Sequence, residues 1–489
     1  MTTHVELRPG AYADSVTLLQ VSRAVQQVEG VGTAQVAMAT ALNLDVLAQM
    51  GFTLPASTAN DMVVAIRLDD PGALDAALAA VEQALTRTVQ RDGGDTSIEP
   101  HRTTGAALRD APADSLVLVS VPGASATVEV MDALDAGRDV MVFSDNVPLE
   151  QEVALKRVAA DRGLLVMGPD CGTAVVDGLG LGFANATQPG PVGIVAASGT
   201  GCQQLLALLD RAGVGVSSAL GVGGRDLSSA VGGLSTREAM RRLDADPSVE
   251  LVAVVSKPPA ADVAEQVRAY AETLGTPVLF ALLGPGRPDL TAAAEDVLRT
   301  LGHPVPDWPV SGDAHRGPGT QLRGLFVGGT LCDEAMLLAA ETLGPIHSNT
   351  PLSPELEIED LDAALASADH VMLDFGDDAL TQGRAHPMID PTLRLDHLAK
   401  VAADPRTGVL LLDVVLGHGA EPDPATSLAP AVADAVAAGV PVVVSCVGTT
   451  NDPQGLDRQV SALADAGAEV HLSNAGATRR AIELLGDPS

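Results

Sequence analysis

The chain has 489 residues, which corresponds to roughly three or four domains at about 150 residues each. It carries 29 Lys and Arg residues against 63 Asp and Glu residues, a formal net charge of −34. This acidic balance argues against nucleic acid and anionic membrane surfaces as partners, because both are negatively charged. Hydrophobic residues make up 46% of the chain, which excludes global disorder. Aromatic residues make up only 2%, which argues against binding of bases or sugars by ring stacking.

The four cysteines, Cys171, Cys202, Cys332 and Cys446, are far apart and form no C-x-x-C motif. This spacing predicts no metal site and fits a reducing compartment. The N-terminus shows no basic segment followed by an apolar one, and the apolar runs fall well short of the ~20 residues that span a membrane. The expected location is therefore the cytoplasm.

Residues 1–110 predict a small α/β module that ends in a linker. Alternation and apolar spacing predict strands and helices in turn. The strands are His4–Leu7, Ala34–Ala39 and Met62–Leu68, and the helices are Asp14–Val28 and Ala73–Val89. Periodicity is lost over Gln90–Asp114, where Gly, Thr, Pro and charged residues collect, so this segment is predicted to be a linker.

From Ser115 onward, buried strands alternate with helices, which is typical of a doubly wound α/β fold. The predicted strands are Leu116–Val121, Val140–Phe143, Leu164–Met167, Val192–Ala196, Gly215–Leu220, Leu251–Val255 and Pro277–Leu282. Helices are predicted at Thr127–Ala136 and Leu149–Asp161. The pattern predicts a Rossmann-like domain at 111–190, and a second linker over Gly302–Leu322.

An internal repeat crosses this second linker. Four segments of the first copy match four segments of the second copy in the same order. The matched pairs are Gly193–Thr200 with Gly324–Thr330, Gly223–Leu227 with Phe375–Leu380, Ala245–Pro247 with Ala403–Pro405, and Gly275–Val278 with Gly439–Val442. The repeat predicts two flavodoxin-like domains, at 191–320 with its linker and at 321–489.

In each copy a strand runs into a glycine turn that opens a helix, which leaves free N–H groups at the positive end of the helix dipole. The turns are Ser198-Gly199-Thr200-Gly201 and Gly328-Gly329-Thr330. A single turn of this kind is explained as a tight strand–helix connection. Its duplication favours a phosphate site, with both helix N-termini facing one anion if the two domains pack pseudo-symmetrically.

Several common nucleotide-binding and catalytic motifs are absent from the sequence. No Gly-Lys dipeptide occurs, so there is no Walker A loop. The sequence also has no G-x-G-x-x-G, H-E-x-x-H or G-x-S-x-G motif. NAD-dependent dehydrogenase, zinc protease and α/β-hydrolase functions therefore lose their main support.

Gly168–Thr173 and Gly193–Thr200 are similar to two motifs of the α subunit of succinyl-CoA ligase, and the region from about 325 to 480 is similar to the CoA-ligase domain of its partner subunit. The chain thus resembles the succinyl-CoA ligase superfamily. Within this superfamily the chain resembles the FdrA proteins. That resemblance rests on Arg8–Leu18 (RPGAYADSVTL), Gly328–Ala335 (GGTLCDEA) and Gly383–Thr392 (GRAHPMIDPT), and it covers essentially the whole chain.

The resemblance implies one of two related activities. FdrA proteins are often described as acyl-CoA synthetases, and some are assigned to oxamate carbamoyltransferase in allantoin and purine catabolism. That reaction converts oxalurate and phosphate to oxamate and carbamoyl phosphate. Both activities make an acyl phosphate by attack of phosphate on an activated carbonyl.

Departures from the family favour the carbamoyltransferase. Succinyl-CoA ligase carries a phosphohistidine in a loop that corresponds to Gly284–Leu290, and this segment contains no histidine. A nucleotide-binding ATP-grasp domain has no room in the chain, and no glycine-rich CoA-binding turn precedes Ser115. We therefore expect phosphate or carbamoyl phosphate as substrate. No cofactor is assigned, CoA remains a candidate, and no metal is expected.

Three residues are candidate catalytic groups. His386 lies in a polar loop and can polarise a carbonyl or act as a general acid or base. Arg225 can grip phosphate or carboxylate, or form a surface pair with Asp226. Asp377, with Asp378 beside it, can orient a substrate amide.

Three further residues carry weaker hypotheses. Arg384 is a second candidate for anion binding. His418 is superficially similar to the phosphohistidine loop but lies in the other repeat. Cys171 is expected to be a buried structural thiol rather than a nucleophile.

The sequence therefore leaves three hypotheses. The first is a subunit of a carbamoyl-phosphate-forming or acyl-phosphate-forming transferase, most simply oxamate carbamoyltransferase. The second is an acyl-CoA ligase subunit that needs a nucleotide-binding partner, and the third is a non-catalytic CoA-sensing scaffold. The expected partners are a small anionic substrate and companion subunits of the same enzyme, or further copies of this chain.

Overall fold

The computed structural model describes residues 2–11, 13, 15–58, 61–91, 101–358, 360–367, 370–381 and 385–486. The described residues divide into two compact units. The first lies within Met1–Asp110 and Gln382–Ala385, and the second lies within Ala111–Thr381 and His386–Ser489. No helix among the described residues is long and apolar enough to cross a membrane.

The first unit is a three-stranded antiparallel sheet with helices. Its strands are β1 (Thr2–Arg8), β2 (Val31–Met38) and β3 (Met62–Leu68), and they pair in the order β1-β3-β2. Its helices are α1 (Ser15–Gln26), α2 (Ala41–Gln49), α3 (Leu74–Arg91) and α4 (Thr104–Asp110). The core packs the apolar stripes of α1 and α3 against the sheet, burying Val21, Val25 and Val81.

The sequence anticipated the three strands of this unit and the helices α1 and α3, but not α2 or α4. Helix α4 lies inside the segment predicted to be a linker. The Thr103 hydroxyl accepts a hydrogen bond from the Ala106 N–H at 3.1 Å, which caps this short helix despite its weak apolar periodicity. Residues 92–100 of the predicted linker lie outside the described residues.

The second unit begins with a small parallel sheet. Its strands are β4 (Val117–Val119), β5 (Val140–Val142) and β6 (Val166–Met167), which pair in the order β4-β5-β6. Helices α5 (Gly123–Asp135) and α6 (Leu149–Arg162) connect them. The bounds of each element differ from the predicted bounds by at most four residues.

A six-stranded sheet follows. Its strands are β7 (Thr173–Val176), β8 (Leu179–Gly182), β9 (Val192–Ala197), β10 (Val216–Gly221), β11 (Leu251–Ser256) and β12 (Val278–Leu282). Its helices are α7 (Gly199–Arg211), α8 (Leu234–Ala245), α9 (Ala261–Ala271) and α10 (Leu290–Thr300). The strand order is β12-β11-β9-β10-β7-β8. The hairpin β7–β8 joins this sheet although it precedes residue 191, where the sequence placed the start of the domain.

A second six-stranded sheet completes the unit. Its strands are β13 (Val310–Ser311), β14 (Gln321–Phe326), β15 (Val371–Asp374), β16 (Thr407–Val415), β17 (Val442–Val447) and β18 (Glu469–His471), in the order β13-β18-β17-β16-β14-β15. Its helices are α11 (Gly329–Leu343), α12 (Leu361–Ser367), α13 (Asp378–Thr381), α14 (Thr392–Ala402), α15 (Pro424–Ala437), α16 (Leu456–Asp465) and α17 (Asn474–Leu485). Strand β13 lies within the second predicted linker, where it pairs antiparallel with β18.

The internal repeat is visible in the strand order. The run β12-β11-β9-β10 in one sheet corresponds to the run β17-β16-β14-β15 in the other. Helices α7, α10, α11 and α17 contact one another, and their buried side chains join one hydrophobic cluster with residues of both sheets. The prediction of two similar α/β folds is confirmed, and their packing places the first turns of α7 and α11 together.

A buried ionic cluster ties α6 to the loop after β10. The ammonium of Lys156 donates to Glu152 at 2.9 Å, to Asp226 at 2.8 Å and to the carbonyl of Val222 at 2.8 Å. The side chains of Lys156, Glu152 and Asp226 are at most 1% exposed. Because each charge is paired inside the protein, this cluster fixes the small parallel sheet against the first six-stranded sheet.

Candidate functional site

The two glycine turns predicted to bind phosphate meet in the structure. Ser198 caps α7, and its hydroxyl accepts a hydrogen bond from the Gly201 N–H at 2.9 Å. The same hydroxyl donates to the Thr330 hydroxyl in the first turn of α11, at 2.6 Å. The N-termini of α7 and α11 therefore converge at one point, as the duplicated turn predicted.

Glycine is needed at this point because the two chains approach closely. A Cβ atom on Gly328 would lie 3.0 Å from Cβ of Thr200 and 3.0 Å from Oδ2 of Asp413. A Cβ atom on Gly201 would lie 3.1 Å from Cγ2 of Thr330. Small residues in both turns thus allow the two helix ends to touch.

Some backbone N–H groups at the two turns donate hydrogen bonds within the protein, and others do not. Asp413, which is fully buried, accepts from the N–H groups of Val327 and Gly328 at 2.8 Å each. The N–H groups of Gly199, Thr200, Gly329 and Thr330 have no acceptor among the described residues. First-turn N–H groups need an outside acceptor, so these four donors can bind an anion. Binding of phosphate there stays a prediction.

Two charged residues that the sequence analysis missed flank the first residue of α11. A Cβ atom on Gly329 would lie 2.8 Å from Nζ of Lys257 and 2.5 Å from Oδ2 of Asp374. Lys257 directly follows β11 and Asp374 ends β15, so both stand at the carboxyl edge of a parallel sheet, where ligands bind in such folds. That position in the strand pattern is the signal that could have found them.

The electrostatics of these two residues are coupled. Burial alone would lower the pKa of Lys257, but the carboxylates of Asp333 and Asp374 reverse this and raise it. Lys257 lies 3.4 Å from Asp333 and is 39% exposed, so it offers a permanent cation to a ligand. Burial raises the pKa of Asp374 to about 7, although Lys257 opposes the shift. Asp374 can therefore gain or lose a proton near neutral pH.

His386 lies on the other side of the same carboxylate. Oδ1 of Asp374 accepts from the Gly376 N–H at 2.9 Å, and a Cβ atom on Gly376 would lie 2.8 Å from Nε2 of His386. The imidazole is half-buried and packs beside Phe183, with ring centroids 5.8 Å apart. Burial lowers the pKa of His386 to about 4. Asp374 therefore lies between His386 on one side and Gly329, the first residue of α11, on the other.

The other two candidate catalytic residues have clear structural roles. Arg225 donates from Nε to Glu152 at 2.8 Å and from Nη2 to the carbonyl of Val147 at 2.7 Å, and it is 44% exposed. It forms no pair with Asp226, which is bonded to Lys156, so the alternative of an Arg225–Asp226 surface pair is wrong. Asp377 accepts from the Ala379 N–H at 3.0 Å and orders the start of α13.

The structure also bears on the three residues with weaker hypotheses, Arg384, His418 and Cys171. Arg384 lies outside the described residues. His418 is exposed, and its ring lies against Gly180 of β8 rather than in the glycine turns. Cys171 is buried, and burial raises its pKa to about 12, which disfavours a thiolate. Among the described residues, no group of three His, Cys, Asp or Glu side chains could hold a metal ion.

The α/β fold with its duplicated sheets is compatible with the CoA-ligase class, and comparison with known proteins identifies that class. The family model for a CoA-ligase domain matches residues 325–484. The chain is 36% identical to YahF of Escherichia coli (strain K12) over 99% of both chains. It belongs to the FdrA family, within the succinyl-CoA ligase superfamily.

Other comparisons match part of the chain. It is 29% identical to the succinate–CoA ligase [ADP-forming] subunit alpha-2 of Trichomonas vaginalis, over 36% of this chain and 57% of that one. It is 26% identical to the malate–CoA ligase subunit alpha of Methylorubrum extorquens, over 35% of this chain and 58% of that one. An acetyl-coenzyme A synthetase structure from Ca. Korarchaeum cryptofilum shares 17% identity, covering 80% of this chain and 88% of that one, with a TM-score of 0.29.

The first unit matches a second family model, described as the heavy metal-associated domain of AllF, over residues 1–101. Soft metal ions are held by thiolates, and the sequence has no cysteine before Cys171. The described residues also contain no other cluster that could hold a metal. The described residues of this unit therefore do not fit a metal.

Proposed function

We propose that the chain is a subunit of an enzyme that makes or consumes an acyl phosphate, with the phosphoryl group held between the N-termini of α7 and α11. The observation that carries this proposal is the contact between Ser198 and Thr330, which points two helix N-termini at one place. Four N–H donors there have no acceptor among the described residues, and Lys257 supplies a cation beside them. Together these groups match the charge and the oxygen atoms of a phosphate.

The same groups can stabilise the reaction as well as the bound anion. A phosphate oxygen attacks the carbonyl carbon of the acyl donor and forms a tetrahedral oxyanion. The bond from that carbon to the leaving atom then breaks, and the leaving atom keeps the electron pair and takes a proton. The helix dipoles and Lys257 favour the negative charge of the oxyanion, and Asp374, with a pKa of about 7, is placed to exchange the proton.

Membership of the ligase superfamily supports a CoA ester as the acyl donor or product. Two of the relatives named above are α subunits of CoA ligases, which suggests that this chain also works with companion subunits. In this form of the proposal the leaving atom is the CoA sulfur, and a partner supplies the nucleotide-binding domain.

One observation favours carbamoyl transfer as a second candidate. The loop Gly284–Leu290, which follows β12, contains no histidine, and the exposed His418 lies at the β8 hairpin instead. Conversion of oxalurate and phosphate to oxamate and carbamoyl phosphate needs no phosphohistidine and no nucleotide. In this form the C–N bond of the ureido group breaks, and the leaving nitrogen takes the proton.

Thermal unfolding with and without ligands tests the proposal. A ligand that binds only the folded state raises Tm in proportion to ln(1 + [L]/Kd). We expect carbamoyl phosphate or CoA to raise Tm of the native protein, and Lys257→Met to abolish that shift. Lys400→Met is the matched control, because Lys400 pairs with Asp362 on the surface and is 52% exposed. A full shift in Lys257→Met, or no shift with carbamoyl phosphate, CoA or inorganic phosphate, would overturn the proposal.

The choice of ligand separates the two chemistries. A shift with carbamoyl phosphate and none with CoA would support carbamoyl transfer. A shift with CoA alone would support the acyl-CoA ligase.

A further inference from the structure

The orientation of the His386 ring is fixed by the backbone that follows it. The N–H of Met388 donates to Nδ1 of His386 at 3.2 Å. The carbonyl of His386 accepts from the N–H groups of Ile389 and Asp390, which closes the turn around the ring. Because Nδ1 acts as an acceptor, it carries no proton, and the neutral ring must carry its proton on Nε2.

The surroundings of the ring favour this neutral form. His386 packs beside Phe183, which in turn lies 5.5 Å from the ring of Phe143. Asp374 lies across Gly376 from the ring, and its Oδ1 is already bonded to the Gly376 N–H. The cost of placing a charge beside the aromatic rings lowers the pKa of His386.

The proton on Nε2 is free to bind a ligand. Nε2 has no hydrogen-bond partner among the described residues. It is also absent from the set of described polar atoms that are both fully buried and unpaired. It lies beside Gly376, and the adjoining Asp374 flanks the first residue of α11. An acyl group attached to a phosphate at the paired helix N-termini would have its carbonyl in this neighbourhood.

We propose that His386 is a catalytic residue that donates a hydrogen bond from Nε2 to the carbonyl oxygen of the substrate and carries no phosphoryl group. This inference rests on the proposed acyl-phosphate chemistry. As attack proceeds, the carbonyl oxygen gains negative charge and the donated hydrogen bond strengthens. A phosphoryl carrier at Nε2 would instead need this nitrogen to be unprotonated, and the lone pair of Nδ1 is already occupied by the Met388 N–H.

Nitrogen NMR of the histidine rings tests the protonation state without any substrate. The signal that disappears in His386→Gln identifies the ring. We expect a neutral ring with its proton on Nε2, unchanged between pH 8 and about 5. The exposed His315 provides a second ring in the same spectrum for comparison. A proton on Nδ1, or a charged ring at pH 6, would overturn the inference.

Ligand contact and phosphoryl transfer provide the second test. Carbamoyl phosphate is expected to move the Nε2 signal of His386, and incubation with carbamoyl phosphate or acetyl phosphate is expected to leave no phosphoryl adduct on this residue by mass spectrometry. With active enzyme, His386→Ala should lower kcat by about 10²-fold or more, and His386→Gln should retain more activity because its amide still donates.

Failure of this inference can be told apart from failure of the proposed function. If carbamoyl phosphate gives a Tm shift that depends on Lys257 but leaves the Nε2 signal unmoved, the phosphate site stands and the role of His386 is overturned. A phosphoryl adduct on His386 would also overturn it, while supporting acyl-phosphate chemistry.

Discussion

The hydroxyl of Ser198 donates a hydrogen bond of 2.6 Å to the hydroxyl of Thr330, which lies 132 residues later in the chain. The two residues occupy corresponding turns of the internal repeat, so the contact is the point where the two halves of the site meet. Neither turn alone offers more than one helix end to a ligand. The packing of the two repeats is therefore what turns two ordinary strand–helix connections into one candidate anion site.

Ser198 and Ser473 form a matched pair for testing this contact. Ser473 caps α17, accepts from the Gly476 N–H at 2.9 Å and shares a hydrogen bond of 2.7 Å with the Thr291 hydroxyl. The two serines are 5% and 4% exposed. Ser198→Ala and Ser473→Ala should each lower the free energy of unfolding by about 1 kcal/mol, the usual value of an N-cap, as measured by urea denaturation.

The two variants should differ in ligand binding. Ser198→Ala is expected to reduce the Tm shift caused by carbamoyl phosphate or CoA, and Ser473→Ala should retain it. Equal loss of the ligand shift in both variants would show that Ser198 acts only as a helix cap.

The buried cluster around Lys156 predicts a large stability effect. Lys156→Met leaves the carboxylates of Glu152 and Asp226 buried without their shared cation. Removal of one partner from a buried ion pair costs about 3–5 kcal/mol, so the free energy of unfolding should fall by that amount in urea denaturation. Arg299→Met is the control, because Arg299 is 55% exposed and its surface ion pairs should contribute little. A similar small effect at both positions would contradict the structural role given to the cluster.

The sequence predicted those parts of the site whose residues are contiguous in the chain. It did not predict the residues that are contributed singly by separate strands. The glycine turns were found because a strand, a glycine run and a helix are contiguous at Ser198 and at Gly328. Lys257 and Asp374 were missed because Lys257 follows a strand of the first six-stranded sheet and Asp374 ends a strand of the second. Only the packing of the two sheets brings both beside Gly329. A single residue at a strand end carries no pattern by itself.

The same limit explains the errors in the fold. The hairpin β7–β8 was missed because its strands are four residues each and its glycines interrupt the alternation. The pairing of Arg225 with Asp226 was inferred from adjacency, but Asp226 is buried with Lys156, which lies 70 residues earlier. Charge pairing across a fold cannot be deduced from neighbours in the chain.

Glu334 predicts a pH dependence of stability that is opposite in sign to that of most carboxylates. It is 1% exposed, and burial raises its pKa from 4.5 to about 7, although hydrogen bonds from Asn474 and the Leu290 N–H oppose the shift. The folded state therefore binds this proton more tightly than the unfolded state does. Its contribution to stability is fully present below pH 4.5 and is lost as the pH rises through about 7.

The test compares pH profiles rather than single values. The free energy of unfolding of the native protein should decline from pH 5 to pH 8 more steeply than that of Glu334→Gln, which has no carboxyl group to ionise. Glu483→Gln, at a carboxylate that is 67% exposed, controls for the loss of one negative charge. Parallel profiles for the native protein and Glu334→Gln would contradict the raised pKa of this residue.

Gly329 offers the sharpest test of where the ligand sits. A Cβ atom there would lie 2.5 Å from Oδ2 of Asp374 and 2.8 Å from Nζ of Lys257, and both are side-chain ends that can move. Gly329→Ala should therefore fold, because alanine also favours the first turn of a helix more than glycine does. It should nevertheless displace the cation and the carboxylate from the helix N-terminus, and so reduce the affinity for carbamoyl phosphate or CoA by at least about tenfold, or 1.4 kcal/mol.

Gly224→Ala is the matched control for this substitution. A Cβ atom on Gly224 would have nothing within 4 Å, and this glycine follows β10 of the first six-stranded sheet. Isothermal titration of both variants with the ligand that stabilises the native protein measures the difference directly. If the two alanine variants bind with equal affinity, the ligand does not occupy the space beside Gly329, and the anion site must be sought away from the paired helix N-termini.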